Sequence, residues 1–104
     1  MKTIQIRTLT ELSHLDGRVY VHMKTSQMEK LFLQQAEAEG FTFTNGVKPT
    51  NGDQANIMAI NPDHTINYIG AFGRMAYSIK EATVDGQRLF RVLYNGDGNW
   101  QLEE

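Results

Sequence analysis

The fold turns on residues 74–94, RMAYSIKEATVDGQRLFRVLY. Asp85-Gly86 suits a two-residue type I′ turn, which would pair Val84 with Gln87 and lay two strands side by side. That register puts Tyr77, Ile79, Phe90, Val92 and Tyr94 on one face. The agreement of these large apolar residues favours a long hairpin over the competing reading, a helix through MAYSIKEA. The same register sets Lys80 opposite Arg91. Like charges directly opposed cost a few tenths to about 1 kcal/mol unless an anion or an acidic neighbour lies between them. Glu81 falls on the opposite face and pairs diagonally with Arg88, so Lys80 and Arg91 become candidate ligands for a phosphate.

Just upstream, NYIGAFGRMAYS (67–78) stops a strand-like run at Phe72, bracketed by Gly70 and Gly73 and followed by Arg74. Glycine admits positive φ or a close approach, and an exposed ring between two glycines can stack on a purine. The plainer reading is a turn that folds Phe72 into the core or a subunit contact. Before it, ANIMAI and TINYIG form a hairpin across Asn61-Pro62-Asp63-His64, which suits a type I turn. FTFTNGVKPTNGDQ (41–54) reads as a long functional or mobile loop. TSQMEKLFLQQAEAEG (25–40) is the main helix: Ser26 and Glu29 form a capping box, Gly40 ends it, and Met28, Leu31, Phe32, Gln35 and Ala36 line one side. MKTIQIR (1–7) and DGRVYVHM (16–23) alternate as strands around a short helical turn in RTLTELSHL. NGDGNWQLEE (95–104) reads as a loose tail whose Trp100 docks on another part of the domain. The expected fold is one α+β domain over residues 1–104, a mostly antiparallel sheet of about five or six strands with one main helix packed on one face.

Composition narrows the function. The 104 residues suit one modest core, and 40% hydrophobic with 21% charged residues is ordinary for a folded soluble chain. No window approaches the roughly 18 apolar residues of a membrane span, and the start lacks the apolar core of a secretion signal, so a cytoplasmic protein is expected. The absence of cysteine removes disulfide frameworks, thiolate nucleophiles and cysteine-based zinc sites. A net charge of -2 lacks the basic footprint of a protein that wraps extended nucleic acid.

His14, His22 and His64 sit at no metal-ligand spacing, and Glu37 and Glu39 near the helix end read as solvated rather than as an acid–base pair. No phosphate-binding Walker loop or nucleophile elbow is present, so neither metal, cofactor nor catalysis is expected. What remains is cationic and aromatic: Phe72 and Arg74, the Lys80 and Arg91 pair, Arg18 at the start of the second strand, and Lys48 in a loop whose amides and Thr50 suit an anion-binding nest. Scattered surface charge accounts for the cations equally well. Exposed strand edges in so small a sheet favour a homo-oligomer.

FLQQAEAEGFTFTNGVKPT (32–50), IMAINPDHTINYIGAFGRMAY (57–77) and a basic final strand together resemble a group of short proteins of phages and prophages of Gram-positive bacteria. Within it the pattern, from about Val19 to Tyr94, is similar to the Thoeris anti-defence sponges, oligomeric α+β proteins that sequester cyclic ADP-ribose signals. The resemblance implies a cyclic adenine nucleotide captured without cleavage in the host cytoplasm. It assigns an aromatic stacking residue and arginine contacts to Phe72, Arg18 and Arg91, and a binding asparagine to Asn67 or Asn95. The alternative is an anti-CRISPR-like inhibitor that docks on a bacterial nuclease.

Overall fold

The computed structural model describes residues 2–4, 8–96 and 100–103. Its strands are β1 (Lys2–Ile4), β2 (Arg18–His22), β3 (Thr42–Phe43), β4 (Ile57–Ile60), β5 (Thr65–Tyr68), β6 (Thr83–Val84), β7 (Gln87–Tyr94) and β8 (Trp100–Glu103). Its helices are α1 (Leu9–Ser13), α2 (Ser26–Ala38) and α3 (Ala71–Ser78), with a 3-10 turn at Pro49–Asn51. The sheet runs in the order β1-β8-β7-β2-β4-β5-β3, and β6 pairs with the start of β7. The β2–β7 and β3–β5 pairs are parallel; the other described pairs are antiparallel. The fold is therefore α+β with a mostly antiparallel sheet, as the patterning led us to expect.

Strand alternation decides which helix lies on which face. Val19 and Val21 of β2, Met58 and Ile60 of β4, and Val92 and Tyr94 of β7 join Phe32, Leu33 and Ala36 of α2 and Leu9 and Leu12 of α1 in one core. Tyr20, Ile57, Ala59 and Leu89 face the other way, where Ala76 and Tyr77 of α3 cover them. The sheet is covered on both faces.

The main helix begins one residue earlier than Ser26 and Glu29 suggested. Thr25 is its N-cap, its hydroxyl accepting from the Met28 amide at 3.1 Å. At the other end Gly40 takes φ +84, and the amides of Gly40 and Phe41 donate to the carbonyls of Glu37 and Ala36. That is a Schellman closure, and it delivers Phe41 to the core.

The decisive correction concerns residues 71–82. Only Thr83 and Val84 pair with Arg88 and Gln87, through a turn whose Asp85 and Gly86 have the positive φ values, 52 and 74, that type I′ demands. Upstream the chain is helix. Gly73, Ala76 and Tyr77 recur at helical spacing on its buried side, and Lys80 ends it at φ 58 with the same pair of closing bonds, from Lys80 and Glu81 to the carbonyls of Tyr77 and Ala76. The expected apolar face therefore divides: Phe90, Val92 and Tyr94 pack towards α2, Tyr77 packs beneath α3, and Ile79 is exposed. Lys80 is not opposite Arg91, whose register partners are Tyr20 of β2 and Glu103 of β8. Arg88 does not pair with Glu81 but lies over the Phe90 ring, 4.5 Å from its centroid.

Gly73 is not part of a turn. A Cβ there would stand 3.1 Å from the Tyr20 hydroxyl and 3.3 Å from Ile69 Cβ, so its missing side chain lets α3 settle onto β2. The NPDH connection is a three-residue loop, with His64 left-handed at φ 69 and Asn61 bonded to Thr65 across it. At the N-terminus, residues 2–4 form the expected strand, while 5–7 lie outside the described residues. The expected loose tail is partly sheet: β8 pairs with both β1 and β7. Residues 97–99 and the side chain of Trp100 lie outside the described part.

Candidate functional site

Three of the candidates converge. Arg18, Phe72 and Asn67 line one pocket of about 270 Å³, together with Tyr20, Gly70 and Asp85. Strand alternation sends Arg18 and Tyr20 to the same side of β2, and α3 begins over that side. Because α3 opens at Gly70, which offers no side-chain cap, and carries no acidic residue in its first turn, the positive end of its dipole at the pocket is not offset from within the helix. Phe72, in the first turn, is 87% exposed, so it is not folded into the core.

Arg18 is held but incompletely satisfied. Its Nη1 lies 3.5 Å from Asn61 Oδ1, and Asn61 Nδ2 donates to Asn67 Oδ1 at 2.7 Å and to Thr65 Oγ1 at 3.1 Å. The Arg18 Nε is buried and has no hydrogen-bond partner among the described residues. A buried N–H left unmade costs about 1–3 kcal/mol, so Arg18 is held at some cost to the fold. Asp85, from the β6–β7 turn, adds a carboxylate to the lining. The pocket thus pairs a guanidinium and helix amides with one acidic acceptor and a bare aromatic ring.

The other candidates are placed elsewhere. Arg74 Nη1 donates to Asn56 Oδ1 at 2.9 Å, and Arg74 does not line the pocket. Lys80 follows the far end of α3, eight residues beyond Phe72 and so roughly 12 Å along the axis. Arg91 lies one strand over, beside Tyr20, and Asn95 follows β7; neither lines this pocket. Lys48 is exposed at the start of the 3-10 turn. The donors expected beside it are already used: the Thr50 amide and hydroxyl donate to Glu37 Oε1 at 3.2 and 2.6 Å. The anion in that loop is the protein's own carboxylate, and the Thr50 side-chain bond holds the Glu37 pKa below its ordinary value.

Nor is Glu39 merely solvated. Its carboxylate accepts from the Leu9 and Thr10 amides at 3.0 and 2.9 Å, from the Thr10 hydroxyl at 2.9 Å and from Gln35 Nε2 at 2.8 Å. Burial alone would raise its pKa, but these bonds together outweigh burial and lower it. The end of α2 therefore anchors the start of α1. His64 stacks on Phe41 at 3.9 Å, and its Nε2 lies 2.7 Å from the Glu39 carbonyl, which requires the proton on Nε2. Among the described residues no group of three or more His, Asp or Glu side chains comes together as a metal site, and no helix is long and apolar enough to cross a membrane.

Sequence reasoning missed Asn61 as the link between Arg18 and Asn67, and Asp85 as more than a turn residue. Alternation in RVYVH already put Arg18 with Tyr20; only the position of α3 could show what faced them. A stripe on α3 was also missed: Phe72, Met75 and Ile79 recur at helical spacing and are 87, 58 and 61% exposed.

No protein-family model, curated protein or solved structure matches the chain.

Proposed function

We propose that the protein binds a small anionic ligand bearing a flat ring, of the cyclic adenine nucleotide type, between Arg18 and the start of α3 and releases it unchanged. The observation that carries this reading is Phe72, a bare ring on the same pocket that Arg18 lines. Leaving a phenylalanine in water forgoes about 1.5–3 kcal/mol of burial. A base stacked on the ring returns about 1–3 kcal/mol, and a phosphate oxygen would meet both the guanidinium and the first amides of α3. The lining holds one carboxylate, Asp85, with no histidine or second acid beside it for proton transfer, which favours capture over turnover. In the form the sequence resemblance implies, the ligand is a cyclic ADP-ribose immune signal in a bacterial host, and the protein is a phage-encoded sponge whose oligomer presents several copies of the pocket.

The exposed stripe of Phe72, Met75 and Ile79 favours a second reading, an inhibitor whose α3 docks on a bacterial nuclease. One experiment separates the two. The protein is incubated with cyclic ADP-ribose isomers, separated from free ligand and heat-denatured. A sponge retains the ligand and releases it intact, whereas an enzyme returns a changed molecule. Absence of retention together with co-purification of a nuclease would establish the second reading and end the first.

A further inference from the structure

A second pocket, of about 300 Å³, meets the first at Asn67 and Tyr68, which line both. Its chemistry is different. The Tyr68 ring stacks on Phe43 at 5.1 Å and 25°, and its hydroxyl donates to the Asp53 carbonyl at 2.7 Å. A Cβ on Gly52 would overlap the Phe43 ring and come within 3.1 Å of the Tyr68 hydroxyl, so a glycine there lets the 3-10 turn close over the pair. Tyr68 is thereby fixed by Phe43 and Asp53 and remains 44% exposed. This is a rigid aromatic platform built by residues 43, 52, 53 and 68.

Around it stand Thr44, Asn45, Asn51 and Asp53. Asn45 Oδ1 accepts from the Val47 amide at 3.1 Å, which orients that carboxamide and leaves its NH₂ to donate. No lysine or arginine lines this pocket, and Asp53 adds a carboxylate. A carboxylate without a neighbouring cation disfavours anions and accepts hydrogen bonds from hydroxyl groups. Carboxamides donate and accept in turn, and the negative face of an aromatic ring attracts polarised C–H groups.

We infer that this second pocket is a site for an uncharged, hydroxyl-bearing ring, a sugar, laid flat on Tyr68 with its hydroxyls on Asn45, Asn51 and Asp53. The inference stands apart from the anion reading of the first pocket, and either can fail alone.

The test is a titration of the ¹⁵N-labelled chain followed by amide shifts, with methyl β-glucopyranoside, ribose, adenine and inorganic phosphate as separate probes. Saturable shifts at residues 44, 45, 51 and 53 with a sugar, with a dissociation constant on the order of millimolar, are expected for a small open site. Tyr68→Leu keeps apolar cover over Phe43 but removes the platform, and should weaken sugar binding at least about tenfold. Asn51→Ala, at an exposed position, should weaken it without altering the remaining spectrum. Phosphate should leave these residues unmoved and shift those around Arg18 and Gly70 instead. The inference is overturned if neither sugar produces saturable shifts, if adenine alone does, or if Tyr68→Leu and Asn51→Ala both bind sugar as the parent does.

Discussion

The Tyr20 hydroxyl lies 3.1 Å from where a Cβ on Gly73 would stand, and that clearance sets how closely α3 approaches β2. In an exposed helix, Gly→Ala gains about 0.5–1 kcal/mol. Here overpacking, at about 1–3 kcal/mol, opposes the gain. Gly73→Ala should therefore lower stability by about 1 kcal/mol in urea denaturation. Combined with Tyr20→Phe, which removes the hydroxyl, the alanine should become neutral or stabilising. An additive double mutant would show that the contact does not control the approach.

Phe72 and Arg18 are predicted to act on the ligand and not on the fold. Phe72→Ala should change stability by less than about 0.5 kcal/mol, because the ring is exposed, while abolishing retention of a cyclic nucleotide. Arg18→Gln should weaken retention at least about tenfold, the value of one charge-assisted hydrogen bond. Equilibrium dialysis measures both. Lys80→Gln, Arg74→Gln and Arg91→Gln should bind within about twofold of the parent, which separates the observed pocket from the cationic rim that the hairpin register suggested.

Lys80 ends α3 in a left-handed conformation at φ 58 that costs a non-glycine residue about 1 kcal/mol. Lys80→Gly should raise stability by about 0.5–1 kcal/mol, seen as a higher midpoint in thermal unfolding. Lys80→Val should lower it. Were residues 75–82 a strand, glycine there would destabilise instead.

Acid should loosen both the joint between α1 and α2, which Glu39 makes, and the tie of the 3-10 turn to α2, which Glu37 makes. Glu37 and Glu39 both have folded pKa values below their ordinary ones, so the unfolded chain binds more protons as pH falls. The stability they contribute is present above about pH 4.3, the ordinary glutamate value, and is lost as pH drops through the lower folded values. Glu39→Gln should cost about 1 kcal/mol at pH 7, at the low end of capping values because the carboxylate is partly solvated. The difference from the parent should shrink as pH falls below the ordinary glutamate range and through the lowered folded value. A gap independent of pH would show that packing, not charge, carries the contribution of Glu39.

Much of this molecule was legible in local pattern. Alternation in RVYVH and TINY, the Asn-Pro-Asp-His and Asp-Gly turns, the apolar stripe of α2 and its closing Gly40 each act over a few residues, so sequence alone determined them. It also supplied Phe72 and Arg18 as candidates. Residues 71–82 were misread because their helix ends on a left-handed lysine where glycine is the usual stop signal, and because Tyr77 and Ile79 alternate as a strand would. The strand partner that the pattern offered to them, β7, is taken instead by β2, β8 and a two-residue β6, and the β2–β7 pairing is formed across a long stretch of chain. Only tertiary structure decided that α3 lies over Tyr20, and hence that Phe72, Arg18 and Asn67 share one pocket while Lys80, Arg74 and Arg91 do not. Side-chain pattern specifies which face of an element is apolar; which element covers that face depends on non-local packing.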